Sequence, residues 1–280
     1  MQQNKKSGLF TGERALFASR NLTVCDSVFR DGESPLKESK NIEVINSSFE
    51  WKYPLWYCEN VSVTGSTLKE TARSGIWYTK NIEITDTLIE APKTFRRAEK
   101  IRLSNVQIPN AEETMWYCKD IRLCDVEITG DYFGLSAKDV YAENLKVDGN
   151  YIFDGAENVE IKGAVLMSKD AFWNCKNVTV YDSLIVGEYL GWNSENVRLV
   201  NCTVESNQGM CYMEGLVLEN CILRNTDLAF EYSSVDAEIK SAVDSVKNPK
   251  SGIIRAENIG EVILEKEFVN TEKTKILITK

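Results

Sequence analysis

Glu157-Asn158-Val159-Glu160-Ile161 returns as Lys176-Asn177-Val178-Thr179-Val180, as Glu195-Asn196-Val197-Arg198-Leu199 and, with glycine for asparagine, as Glu214-Gly215-Leu216-Val217-Leu218, 19 residues apart each time. With the first apolar residue as anchor, the phrase walks back through Val140, Ile121, Ile101, Ile82, Val61, Ile42 and Leu22 at intervals of 19 to 21 residues. Eleven regular rungs result, with two looser ones near Val235 and Ile259. A fixed short period of this kind is the mark of a solenoid.

The columns of the repeat say which solenoid. The anchor and the residue two further on are apolar in every rung, from Leu22/Val24 to Leu216/Leu218, which is a strand with one buried face. Four residues past the anchor only Asp, Asn or Gly occurs (Asp26, Asn46, Gly65, Asp86, Asn105 and onward), the residue types that accept left-handed backbone angles. A second short strand follows with its apolar residue seven past the anchor, from Phe29 and Phe49 to Val204 and Leu223. A further turn column precedes the anchor, from Asn21 to Asn196. Strands this short cannot bury a face alone, so the rungs stack by parallel pairing. The expectation is an all-β chain, a single-stranded parallel β-helix of about 19–20 residues per rung and roughly 11–13 rungs. An amphipathic helical repeat is disfavoured by the β-branched alternation and the Asn/Asp/Gly turns. We expect one domain over 1–280: a cap over 1–15 with Leu9, Phe10 and Leu16 covering the open end, rungs over 16–264 interrupted by a loop at Asp244 to Ser251, and a closing strand or cap over 265–280.

Composition narrows the partners. Thirty-three basic and 42 acidic residues give a net charge of −9, which opposes attraction to nucleic acid and to anionic membranes. No apolar run reaches membrane-spanning length and Met1 to Gly12 carries no apolar leader, so the expected compartment is the cytoplasm. Eight cysteines fall at repeat positions, and free thiols are expected even for Cys202 and Cys221, one rung apart. With no histidine, imidazole bases and His-containing metal sites are ruled out. Nothing in the sequence calls for a cofactor or a metal, and nothing indicates an oligomeric state.

One face departs from this regularity. Five residues before the anchor stand Lys37, Trp56, Trp77, Arg96, Trp116, Leu135, Asp154, Trp173, Trp192 and Cys211. Tyr57, Tyr78, Arg97, Tyr117, Asn174, Asn193 and Tyr212 follow, and the loops leading in bring Asp131, Tyr132, Tyr151, Lys169, Asp170 and Glu188. Stacked at the strand spacing, these residues form one stripe of aromatic and charged groups, suited to an extended polar polymer whose sugar rings lie on the indoles. Trp56, Trp77, Arg96, Arg97, Trp116, Tyr132, Tyr151, Lys169, Trp173 and Trp192 are the candidate binding residues. Asp154, Asp131, Asp170 and Glu188 are candidate carboxylates for acid–base work on a glycosidic bond. The two arginines suit a uronate carboxylate, and Lys169 becomes a proton acceptor if its pKa is lowered. The competing readings are an aromatic ladder that lengthens the core and loop charges that pair with one another.

The rung pattern resembles the pectin-lyase-like right-handed β-helices. The runs Gly32-Glu33-Ser34-Pro35-Leu36-Lys37-Glu38, Trp51-Lys52-Tyr53-Pro54-Leu55-Trp56-Tyr57, Ala91-Pro92-Lys93-Thr94-Phe95-Arg96-Arg97, Lys169-Asp170-Ala171-Phe172-Trp173-Asn174 and Phe230-Glu231-Tyr232-Ser233-Ser234-Val235-Asp236 look like those of an uncharacterised bacterial family of that fold. The resemblance implies the fold and its right hand; it lends no catalytic residue. Asn225-Thr226-Asp227 is similar to a polygalacturonase motif, but the paired aspartates and histidine motif that accompany it there are missing, as are the arginine signatures of pectate lyases. The functional expectation is therefore a carbohydrate-binding or carbohydrate-active protein with an oligosaccharide ligand; the alternative is a non-catalytic binding or structural scaffold.

Overall fold

The structure is a computed structural model that describes residues 4–279. It divides into two compact units, Met1–Ala142 and Glu143–Lys280, each built as a parallel β-helix.

In the first unit the anchors pair directly: Leu22 with Ile42, Ile42 with Val61, Val61 with Ile82, Ile82 with Ile101 and Ile101 with Ile121. The second strand pairs Phe29 with Phe49, Phe49 with Leu68 and Leu68 with Ile89. A third, two-residue strand pairs Ile76 with Phe95 and Trp77 with Arg96. The inward residues of all three are buried, and each such side chain contributes about 1.5–3 kcal/mol. The third face is otherwise turn. In the second unit Val159, Val178 and Val197 pair in one column, and Val147, Leu166, Ile185, Val204 and Leu223 in another.

The turn columns are hydrogen-bonded ladders. Asn41 Nδ2 donates to Asn21 Oδ1, Asn60 to Asn41 and Asn81 to Asn60, each at 2.9 Å; Asn177 donates to Asn158 at 3.0 Å and Asn196 to Asn177 at 3.1 Å. All sit at positive φ, between 52° and 58°. One amide thus fixes the turn and ties it to its neighbour.

At the ends the structure corrects the sequence reading. Asn4–Thr11 is a strand paired with Arg20–Arg30, with Phe10 stacked on Phe29 at 5.0 Å and Leu16 buried, while Leu9 stays 55% exposed. Lying at the end of the stack, this strand is almost wholly exposed and has no apolar alternation to betray it. Val235 pairs with Gly252 and Gly252 with Thr274, so the anchor column continues through Gly252 and not Ile259, which pairs with Val243 in a separate two-stranded sheet. The loop expected over Asp244 to Ser251 shrinks to Asn248, Pro249 and Lys250, between strands Ala242–Lys247 and Ser251–Ala256. Thr274–Ile278 is the closing strand, paired with Ser251–Ala256.

All eight cysteines are free, as expected. Burial pushes the thiols of Cys58, Cys118, Cys175 and Cys211 up to about 12, and Cys58 Sγ donates to the Leu36 carbonyl at 3.1 Å. Cys58, Cys118 and Cys175 are core donors standing where Ser39, Thr79 and Ser194 stand in other rungs. No helix among the described residues is long and apolar enough to cross a membrane.

Candidate functional site

In the first unit the column five before the anchor is a continuous stack. Trp56 lies on Trp77 at 5.2 Å and 9°, and the Arg96 guanidinium is sandwiched at 4.6 Å from Trp77 and 4.7 Å from Trp116. Each indole also holds the next loop: Trp56 Nε1 donates to the Ser74 carbonyl, Trp77 to Lys93 at 2.9 Å and Trp116 to Tyr132 at 2.7 Å. Half-buried rings packed face to face and anchored by their only donor present edges to solvent, not faces. A sugar ring cannot lie between layers spaced about 4.8 Å apart.

The exposed row is one residue further on. Tyr57 stacks on Tyr78 at 4.8 Å and 5°, Arg97 reaches over Tyr117 at 5.8 Å, and Lys37 stands over Tyr57 at 5.7 Å. Tyr57 is 48% and Tyr117 52% exposed. Lys93 and Arg96 share the carboxylate of Glu113, at 2.9 and 3.5 Å. Among the described residues Lys37, Arg73 and Arg97 are cations of this face that make no ion pair. The backbone there is left-handed: φ is 55° at Tyr57, 60° at Tyr78, 50° at Arg97 and 55° at Tyr117. Bulky residues adopt that region at a cost of about 1–3 kcal/mol each. In the second unit the same turn position is filled at Asn174 and Asn193 by the residue that suits it. The tyrosines and arginine of the first unit are held against the local backbone preference.

The second unit brings together a different set. Trp173 and Trp192 stack at 5.6 Å and 8°, with Nε1 of each bonded to the carbonyls of Tyr189 (2.6 Å) and Gln208 (2.8 Å). Tyr151 stands edge-on to Trp173 at 5.8 Å. Lys169 Nζ pairs with Glu188 Oε2 at 3.2 Å and lies over the Tyr189 ring at 5.4 Å. Asp154 Oδ1 accepts from Asn174 Nδ2 at 2.9 Å, and Asn174 in turn accepts from Asn193. Asp170 is only 2% exposed; burial raises its pKa, opposed by the Lys169 charge and a hydrogen bond from Tyr151. The Lys169 pKa is raised by its hydrogen bond to Glu188, so the proton-acceptor role is corrected: this ammonium stays charged. Of the four candidate carboxylates, Asp170 and Glu188 lie close enough for the Glu188 charge to act on Asp170. Asp154 is engaged in the amide ladder, and Asp131, like Tyr132, is an exposed loop residue of the first unit. The Asn225-Thr226-Asp227 run is a turn: Asp227 Oδ1 accepts from the Leu228 N–H at 2.9 Å and from the Ser245 hydroxyl.

Raised pKa at Asp170 gives a stability prediction. The folded state holds its proton above the ordinary carboxylate pKa of 3.8, so between that value and the raised one the folded chain binds more protons than the unfolded chain, and stability falls as pH rises. Asp170→Asn, whose amide oxygen keeps the Tyr151 hydrogen bond, removes that decline. Denaturant melts at pH 4 and 7 check it: the wild type loses stability relative to the variant over this interval, and parallel curves would refute the burial argument.

The sequence places Tyr57, Tyr78 and Tyr117 in the stripe but not among the candidate binding residues, because alternation directs attention to the tryptophans. Asn174 and Asn193 in the same column were the available signal that this position is a left-handed turn whose side chain stands outward.

Residues 3–277 match the model of a family described as Protein of unknown function (DUF3737). No curated protein matches the chain. Among solved structures, it is similar to the A-modules of two mannuronan C-5 epimerases of Azotobacter vinelandii. AlgE4 is 10% identical, with 98% of this chain and 87% of that one covered and a TM-score of 0.28. AlgE6 is 11% identical, with 99% and 89% covered and a TM-score of 0.29. The periplasmic alginate epimerase AlgG is 9% identical, with 99% and 77% covered and a TM-score of 0.24. Overlap this loose carries no argument about activity.

Proposed function

The chain belongs to the DUF3737 family, whose name states no activity, and we propose that it is a carbohydrate-binding protein that takes an acidic oligosaccharide along the exposed row of its first unit. The observation that carries this reading is the row itself: an exposed Tyr57 stacked on a half-buried Tyr78, with Lys37 at one side and the exposed Arg97 and Tyr117 at the other, and with Tyr57, Tyr78, Arg97 and Tyr117 all kept in left-handed backbone. Tyrosines offer apolar area with a polar tip. Arg97 and Arg73, lacking ion pairs, are open to carboxylates that a guanidinium fork binds in pairs. The tryptophan and Arg96 stack beneath is a rigid bed, not the contact surface. A net charge of −9 argues against nucleic acid and membrane as the anionic partner. Eight cysteines outside any disulfide fit a reducing compartment such as the cytoplasm.

Titration calorimetry with oligogalacturonate and its carboxyl-reduced counterpart tests the assignment. The acidic oligomer binds more tightly, its affinity falls as salt rises, and Arg97→Ala weakens it roughly tenfold, the loss of one charge-assisted hydrogen bond. Equal binding of the two oligomers, untouched by Arg97→Ala, would count against it.

A second, carbohydrate-active reading rests on one observation, the buried Asp170 with its raised pKa beside Tyr151 and the Lys169–Glu188 pair. It predicts that oligosaccharide products form slowly with the wild type and not with Asp170→Asn. Binding without turnover in both would leave the first reading standing alone.

A further inference from the structure

The second strands of the second unit form a parallel ribbon whose outward side chains are known from their register. Lys146 pairs with Val165 and Asp148 with Met167; Val165 with Leu184 and Met167 with Val186; Leu184 with Thr203 and Val186 with Glu205; Thr203 with Ile222 and Glu205 with Arg224. Val165, Met167 and Leu184 are 38%, 41% and 36% exposed, and Val186 is half-buried. Four large apolar side chains are thus contiguous on an open sheet face. In the first unit the equivalent outward positions hold Gln107, Pro109, Glu127 and Thr129, so the fold does not require this patch. Contiguous apolar surface bordered by charge marks an interaction site more often than scattered apolar residues do.

The border identifies the partner. Lys146 and Asp148 lie on the same strand at the same edge of the patch, both exposed, and neither makes an ion pair among the described residues. We propose that this face is the interface of a homodimer in which two copies pack the ribbon face to face about a two-fold axis running across the strands. Such an axis reverses strand direction and keeps the rungs aligned. Val165 then meets the partner's Met167, Leu184 meets the partner's Val186, and Lys146 meets the partner's Asp148 twice over, once from each copy. Ile222 meets the aliphatic stem of the partner's Arg224. The other two-fold arrangement, with the axis along the strands, reverses rung order and sets Asp148 against the partner's Glu205, a like-charge contact. The charge pattern therefore selects the partner, a second copy, and the orientation. Sheets packed this way lie about 10 Å apart, the depth these side chains span.

Sedimentation velocity of the full chain across a wide concentration range is the test. The wild type shows a concentration-dependent dimer, and Met167→Lys with Leu184→Lys abolishes it while leaving the far-ultraviolet spectrum and melting point unchanged. Lys146→Asp and Asp148→Lys each weaken self-association roughly tenfold, because two weak surface ion pairs become two repulsions. An equimolar mixture of these two variants restores the dimer, since each then supplies the charge the other lacks. A wild type that stays monomeric, or a dimer that both charge variants form as well as the wild type, overturns the proposal. A mixture that stays weak overturns the two-fold arrangement.

Discussion

Trp77→Ala lowers the free energy of unfolding by about 3 kcal/mol, near the lower end for truncating a buried tryptophan, since the ring is half-buried. The ring lies on Trp56 at 5.2 Å, carries the Arg96 guanidinium at 4.6 Å, and donates its N–H to the Lys93 carbonyl at 2.9 Å. Truncation removes a stacking partner, strips the cation of half its sandwich and leaves a loop carbonyl without its donor. Trp77→Phe keeps a ring and loses only the hydrogen bond, so it costs about 1 kcal/mol. Chemical denaturation of the three proteins checks the order. A Trp77→Ala variant as stable as the wild type would mean that the column is a ligand platform with no structural duty.

Asn177→Val costs about 3 kcal/mol as well, by a separate route. At φ 57° the asparagine occupies the left-handed region that a β-branched residue resists, for about 1–3 kcal/mol. Its amide also donates to Asn158 at 3.0 Å and its oxygen accepts from Asn196 at 3.1 Å, two ladder bonds of about 1 kcal/mol each. Lys176→Val, one residue before, removes only the exposed pair with Glu195 and changes stability by less than about 1 kcal/mol. Thermal melts of the pair decide it; equal melting points would show that the turn ladder contributes nothing.

Much of this molecule was legible because its repeat forces each column into one environment. Val159, Val178 and Val197 are apolar at one interval because they are stacked on one another, and the interval alone yields the register. The ends were not legible. Asn4–Thr11 pairs through backbone groups while its side chains face solvent, and Gly252 occupies an anchor position with no side chain to announce it. At the candidate site the sequence located the face but not its exposed layer. Period-two alternation holds only in strands, and beside Trp56 and Trp77 the chain enters a left-handed turn, so that Tyr57 and Tyr78 stand out as well. Nor does a sequence reveal that an indole is covered on its face by the ring one rung away, since the strand spacing that brings the rings together also closes the gap a sugar would need. The pairing of Lys169 with Glu188, a rung away in space, is likewise a product of the fold.

The exposed row gives the central claim a clean variant. Asparagine is what the second unit places at this turn in Asn174 and Asn193, so changing Tyr57, Tyr78, Arg97 and Tyr117 together to asparagine relieves backbone strain while deleting the proposed contact surface. The measurement is a glycan array carrying acidic and neutral oligosaccharides, probed with the wild type and with this fourfold variant. The account predicts wild-type binding to acidic glycans, and a variant that melts at or above the wild-type temperature yet binds none. A wild type that binds no glycan, or a folded variant that binds as the wild type does, would contradict it.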